Sequence, residues 1–516
     1  VIATIPSASL LGADGEPVAV EVHVGDGLPG FTIVGLPDAA CREARDRVRA
    51  ALLSSGLRWP ARRVTVNLAP SSLRKVGSGL DLPIAVGLLA ATGELEPELL
   101  SGCGFLGELG LDGSLRSIPG ALALAGATPA RAVVVPLGCL AEARLATNRR
   151  CLGARTLSEV IGALRGEGSW AQCAPLGPRR DEPAHELADL SAVRGHELGR
   201  VALEVAAAGG HHLLFVGPPG AGKTLLARCL PSLLPPLTDE EALQVRRVHS
   251  AAGVPLPPGA LQAPYRAPHH SASPAALIGG GSGTMRPGEV SLASNGVLFL
   301  DELGEFATPV LETLRQPLED GVVRVARARG CVSFPARFLL VAASNPCPCG
   351  EGSLPGGCRC SPFERARYHR RLSGPLLDRF DLQVPLARPP AELLLGAAPP
   401  PSGDDSAVAE PLGESSAVVA ARVAAARSRA RARGVRCNAE LAPASLDEHA
   451  PLSGEARAAL LARLEAGSAS ARAVARLRLV ALTLADLAGH EGPLRARHVR
   501  GALELRAGRA ALIGEA

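Results

Sequence analysis

The sequence predicts an α/β fold for most of its length, followed by an all-helical segment. Three observations carry that reading. Aliphatic and β-branched runs of strand length alternate with helical stretches over residues 1–388. Two of the later runs end in Gly- or Asp-bearing turns, as in an open parallel sheet with a site at its strand ends. From residue 416 onward Ala, Leu and Arg dominate with helical spacing.

The elements follow in order. Residues 18–24, 63–67 and 132–136 read as strands, and 39–54 and 81–91 as helices, giving a first α/β or α+β domain over 1–165. Residues 166–187 mix Gly, Pro and charge without periodicity and read as a linker. Residues 188–388 form the second α/β unit, and 389–415, with their Pro-Pro-Pro run and five acids, a second linker. Residues 416–516 form the helical end. The 516 residues leave room for about three domains at ~150 residues each. With 47% apolar and 20% charged residues, the chain is globular rather than disordered.

Composition narrows the function. The 54 basic and 50 acidic residues nearly cancel, so any nucleic-acid surface must be a local patch. Aromatics at 3% argue against gripping bases by stacking. No apolar run reaches 18 residues, so no membrane-spanning helix and no membrane partner are expected. The opening residues do not begin with Met and carry neither the basic nor the apolar part of a secretory signal; a cytoplasmic location is expected. Four of the 12 cysteines crowd into residues 347–360, which suits a metal or redox knot better than a disulfide framework.

The chemistry concentrates in the second unit. Residues 211–216 read as a strand and 225–230 as a helix. Between them Gly217, Pro218, Pro219, Gly220, Ala221, Gly222, Lys223 and Thr224 complete the GxxxxGK[ST] pattern. Its glycines let backbone N–H groups wrap phosphate oxygens, and the following helix adds its positive end. Lys223 is expected to reach the β- and γ-phosphates and Thr224 to hold Mg²⁺. The apolar run 297–300 then ends in Asp301 and Glu302, placing one carboxylate to hold Mg²⁺ through water and a second to orient an attacking water. Residues 338–344 form another buried strand ending in Asn345, whose amide can help fix that water. Arg379 offers a cation that a neighbouring subunit can use to neutralise transition-state charge, an effect worth about 10³–10⁵ in rate in GTPases.

These residues together resemble the AAA+ ATPases, in particular the magnesium-chelatase-like YifB/ComM family, over nearly the whole chain. The matching strings are FTIVGLPD at 31–38, RAPHHS at 266–271, GEVSL at 288–292, NGVLFLDEL at 295–303, LRQPLEDG at 314–321, NPCPCG at 345–350 and LSGPLLDR at 372–379. The resemblance implies an AAA+ P-loop core with a parallel sheet, a C-terminal helical lid, and ATP with Mg²⁺ as cofactors. It implies sensor 1 at Asn345, an arginine finger at Arg379, and a sensor 2 contact to the γ-phosphate from Arg472, which lies in the matching SAR at 470–472. It also implies ring-shaped homo-hexamers acting as DNA helicases or branch-migration motors in DNA uptake and recombination.

The first domain resembles the Lon-protease-like fold, related to a ribosomal S5 domain. Aligning KVGSGLDLPI at 75–84 puts Gly79 where that family's nucleophilic Ser belongs, and aligning residues 107–122 puts Leu122 where its Lys belongs. Ser78 and Lys75 are near in sequence, but a one-residue shift misplaces the hydroxyl. No acyl-enzyme chemistry is expected. The domain is expected to help ring assembly or contact DNA.

Cys347, Cys349, Cys358 and Cys360 form two C-x-C pairs, a thiolate set suited to tetrahedral Zn²⁺ although the pair spacing is tighter than usual. His269 and His270 are read as structural or DNA-facing, since adjacent side chains diverge on a strand. Two surfaces are expected to meet DNA phosphates. One is a hairpin over residues 322–334 bearing Arg324, Arg327 and Arg329, which in the chelatase-like branch faces the ring pore. The other is the acid-free cluster Arg422, Arg427, Arg429, Arg431, Arg433 and Arg436, in a tail with 16 basic and 9 acidic residues. The reading is a Mg²⁺-dependent AAA+ motor on DNA. Its rivals are a magnesium-chelatase motor subunit and a protein-remodelling chaperone, the latter disfavoured by Arg rather than aromatic residues in the hairpin.

Overall fold

A computed structural model describes residues 2–146, 149–172, 188–256, 259, 261–281, 285–327, 330–352, 358–372, 374–390, 413–465 and 470–507. Most of both linkers, and Arg329, lie outside these residues.

The first domain is built on a four-stranded mixed sheet in the order Ile2–Leu11, Asp14–Gly25, Arg63–Ala69, Gly30–Val34. The first three strands are antiparallel neighbours and the last pair is parallel. Helix Asp81–Ala91 is buried along its whole length against this sheet, which fits its almost purely apolar sequence. Its one charge, Asp81, is paired with Arg47 at 2.6 Å and accepts the Leu109 N–H. The 39–54 stretch is two helices, Ala39–Arg42 and Ala44–Ser54, meeting at Glu43. A three-stranded parallel sheet, Cys103–Phe105, Ala132–Pro136 and Arg150–Ala154, completes the domain. Residues 166–172 belong to it rather than to the linker: Trp170 packs on its core, and the Ala171 N–H donates to the Gly153 carbonyl at 2.9 Å.

The second unit carries a five-stranded, all-parallel sheet in the order Tyr265–Arg266, Val297–Leu300, Leu339–Ser344, Leu213–Val216, Leu382–Pro385. The three central strands are buried at every position, as expected for a parallel sheet covered on both faces. Helix Lys223–Leu233 leaves the phosphate-binding loop. The tail supplies helices Ser416–Ala432, Gly454–Glu465, Ala471–Leu487 and Ala496–Glu504. Val419, Val423, Ala426 and Ala430 repeat at helical spacing and join the same core as helix Glu197–Gly209.

One apolar core crosses from the first domain to the second. Ala8, Leu10 and Ala13 cluster with Val323, Val325, Val332 and Phe334 of the hairpin formed by Val322–Arg327 and Gly330–Pro335. At the turn between the first two strands Gly12 has φ 68°, and a Cβ there would sit 2.3 Å from Val332 Cγ1. The turn therefore needs glycine both for its backbone and for this close approach. A further bond ties the units: the Gly120 N–H donates to the Ser250 carbonyl at 2.8 Å.

Candidate functional site

The phosphate-binding loop joins strand Leu213–Val216 to helix Lys223–Leu233. Gly220 (φ 78°) and Gly222 (φ 73°) occupy the left-handed region, turning the backbone so that it opens a nest ahead of the helix. The Lys223 ammonium curls back over the loop, donating to the carbonyls of Gly217 (2.6 Å) and Pro218 (2.9 Å) and to Asn345 Oδ1 (3.0 Å). Burial pushes its pKa down, against the nearby charges of Asp301 and Glu302. The Thr224 hydroxyl donates to Asp301 Oδ2 at 2.8 Å.

Sheet order explains this meeting. Strand Leu339–Ser344 lies between the phosphate-loop strand and Val297–Leu300, so Asn345 emerges between Lys223 and the Asp301–Glu302 pair. Glu302 leaves its strand with a left-handed backbone, φ 52° and ψ 49°. Its Oε2 lies 3.3 Å from His270 Nδ1. His269 and His270 are not on a strand and do not diverge: their rings lie 4.1 Å apart, and His270 meets Phe306 edge-on. The His270–Glu302 pairing was not legible from residue types, though the RAPHHS string marks its place.

Arg379 lies elsewhere. It precedes strand Leu382–Pro385, which runs parallel to the phosphate-loop strand with Leu213 opposite Leu382 and Val216 opposite Pro385. Lys223 follows the far end of that pair, so the two residues leave opposite ends of the sheet, about 10 Å of strand apart at ~3.3 Å per residue. Arg379 is paired with Glu319, and its Nη1 donates to the Pro375 carbonyl at 2.5 Å. Arg472 sits beside it, 3.4 Å from the same Glu319 carboxylate, and does not join the Lys223 constellation. Glu319 is a further residue that sequence reasoning passed over. Asp381 anchors the tail to this end of the sheet, binding Arg476 at 2.9 Å and His211 at 3.4 Å. Burial works against its charge, but the His211 hydrogen bond and the Arg476 charge hold its pKa at about 2.

The four cysteines converge. Their sulfurs all lie within 4.8 Å of one another, with Cys347–Cys349 at 3.3 Å, Cys358–Cys347 at 3.7 Å and Cys349–Cys358 at 3.9 Å. A disulfide needs about 2.05 Å. Four sulfurs around Zn²⁺ at ~2.3 Å stand about 3.8 Å apart, so the donor set fits a tetrahedral ion. Backbone N–H groups of Glu351 and Arg359 pull the Cys349 thiol down to about 6, while burial beside its neighbours pushes Cys347 up to about 12. The knuckle rests on the phosphate-binding loop. A Cβ on Gly350 would lie 2.5 Å from the Pro219 ring. Arg388 donates to the Pro219 carbonyl at 3.0 Å and to Glu351 at 2.8 Å, tying the two together.

The expected arginine patch of the tail is mostly drawn inward; of its six arginines only Arg431 is exposed. Arg427 is buried and donates to the Ala207 carbonyl, Arg429 to the Asp486 carbonyl. Arg422 pairs with Glu204 and Glu414, Arg433 with Asp486, and Arg436 with Glu241 and Glu440. These cations satisfy acids and orphan carbonyls at the seam between tail and core. In the hairpin, Arg324 is exposed and pairs with Asp320 at 3.1 Å, and Arg327 lies on the strand. In the first domain Lys75 is fully buried on the carbonyls of Pro70 and Leu73, while the Ser78 hydroxyl donates to Glu108. Neither forms a Ser–Lys pair.

Fold and site together define a P-loop nucleotide-binding protein of the AAA+ kind: a parallel sheet with the phosphate loop beside an Asn-ended strand and an Asp-Glu pair one strand further. The family model for magnesium chelatase subunit ChlI matches residues 189–393, the ChlI subunit model residues 20–138, and the ChlI C-terminal model residues 413–506. An uncharacterised protein of Mycobacterium tuberculosis is 45% identical over 94% of this chain and 95% of its own length. YifB of Escherichia coli is 42% identical over 94% and 93%. The competence protein ComM of Haemophilus influenzae is 40% identical over 95% and 94%. The chain belongs to the YifB/ComM family of magnesium-chelatase-like AAA+ proteins. No helix among the described residues is long and apolar enough to cross a membrane.

Proposed function

We propose that the chain is a Mg²⁺-dependent ATPase motor that assembles as a homo-hexameric ring and moves DNA, as a helicase or branch-migration translocase. The convergence of Lys223, Thr224, Asp301 and Asn345 in one site, with Arg379 at the opposite end of the adjacent strand, carries this reading. Lys223 and the loop N–H groups bind the β- and γ-phosphates. Thr224 and Asp301 are the residues to hold Mg²⁺, which when bound supplies charge neutralisation across those phosphates. Glu302 orients and deprotonates the attacking water, and Asn345 holds it in line. Arg379 leaves the opposite end of the sheet from its own loop, so it serves a neighbour's nucleotide, which makes the ring part of the active site. Arg472, beside Arg379, acts from the same side. The exposed Arg324 on a paired hairpin gives each subunit a phosphate-seeking element. The relative named as a competence protein supports DNA as the substrate. The Cys347, Cys349, Cys358 and Cys360 knuckle holds a structural Zn²⁺ that braces the loop between Asn345 and Pro219.

The test is ATP hydrolysis by the purified chain with and without single-stranded or branched DNA, with Lys223→Ala as the blank. DNA-stimulated turnover and strand displacement, both lost in Lys223→Ala, are expected. ATP turnover that ignores DNA and displaces no strand refutes the DNA motor and returns the chelatase-type and chaperone readings. No ATP turnover at all refutes the ATPase itself.

A further inference from the structure

The pairing of Arg379 and Arg472 on one carboxylate has no role in the scheme above. In that scheme both cations serve a neighbour's nucleotide, yet here they meet an acid of their own chain. Glu319 accepts from both, in an open cavity of about 580 Å³ also lined by Arg315, Asp320 and Asp378. Arg379 is only 6% exposed, and its Nε is buried without a hydrogen-bond partner. Two guanidinium groups converging on a single carboxylate in an open cavity, one of them with a donor left unpaired, mark a site for an anion with more oxygens than one carboxylate offers. A terminal phosphate carries more charge and a third acceptor, so it outcompetes Glu319 for the pair. The Arg315 side chain is held by Glu312 at 2.7 Å.

Glu319 is also placed to report the exchange. It sits near the end of helix Arg315–Asp320. Asp320 follows and binds Arg324, and Gly321 (φ 65°) turns the chain directly into the hairpin. The Ala336 N–H donates to the Gly321 carbonyl at 2.9 Å, so both hairpin strands are fastened to that turn. A shift of the helix end therefore moves the hairpin base and its exposed Arg324.

We propose that Glu319 is a stand-in for the terminal phosphate of a neighbouring subunit's nucleotide, and that its release from Arg379 and Arg472 repositions the Arg324 hairpin. This rests on the motor reading and adds the element that couples one subunit's nucleotide to the next subunit's grip on DNA.

The experiment measures kcat and KM for ATP of the full chain, with and without single-stranded DNA, in wild type, Glu319→Gln, Glu319→Asp and Arg379→Ala. Glu319→Gln leaves the arginines unclaimed, so DNA-free kcat rises and the stimulation by DNA falls at least about fivefold. KM for ATP stays within about twofold, because the chain's own phosphate loop is untouched. Glu319→Asp restores the coupling. A Glu319→Gln protein with wild-type stimulation overturns the proposal. So does one that loses hydrolysis with and without DNA, as Arg379→Ala is expected to, since Glu319 then merely holds the finger. A wild type whose turnover ignores DNA or survives Arg379→Ala unchanged overturns the motor reading itself, and this proposal with it.

Discussion

Glu302 carries the clearest single-residue consequence. Its left-handed backbone, uncommon outside glycine, costs of order 1 kcal/mol and aims the carboxylate at His270. Glu302→Gln keeps the shape and removes the base, so nucleotide binding should persist while kcat falls by about 10²-fold or more. Equilibrium binding of a fluorescent nucleotide alongside steady-state turnover separates the two; equal loss of both would mean that Glu302 serves binding instead. Lys223, Thr224 and Asp301 were legible in the sequence because a contiguous loop and a strand-ending acid encode them locally. His270 and Glu319 were not, because their partners lie far along the chain and meet only once the sheet order is set.

At the scale of elements, the cysteine knuckle and the tail helix show opposite outcomes. Two short C-x-C pairs can only fold back on each other, so their clustering was visible in spacing alone. What spacing could not show is the surface the knuckle rests on, Pro219 of the phosphate-binding loop. Metal analysis of the purified chain should find stoichiometric zinc, lost in Cys349→Ser with weaker nucleotide binding; a metal-free wild type contradicts this. The helix Ser416–Ala432 misled in the other direction. Arg422 on this helix, with Arg433 and Arg436 just beyond it, looked like part of a solvent-facing patch because their acids, Glu204, Asp486 and Glu241, are distant in sequence. Arg427 is buried on a helix-end carbonyl, a role in which composition and charge counts carry no signal.

For the whole molecule, acid sensitivity follows from buried titrating groups. His212 accepts the Leu340 N–H on Nδ1, which a protonated ring cannot do, and burial lowers its pKa from 6.5 to about 4. The unfolded chain binds that proton first, so this stability is complete above about pH 6.5 and is lost as pH falls toward 4. Asp381, held at about 2 against an ordinary 3.8, adds a second loss below pH 3.8. Melting temperature followed by circular dichroism should be flat above neutrality and fall between those limits, with His212→Gln flattening the upper part of the slope. A melting temperature that rises on acidification contradicts this.

The first domain supplies part of the hairpin's own interior. Leu10 and Ala13 share a core with Val323, Val332 and Phe334, and the Gly12 turn is pressed against Val332. An ATPase fragment cut free of the first domain would therefore carry a freshly exposed aliphatic face on the very hairpin proposed to meet DNA. Such a fragment should self-associate through that face, and its poor behaviour would say nothing about whether the removed domain ever touches DNA.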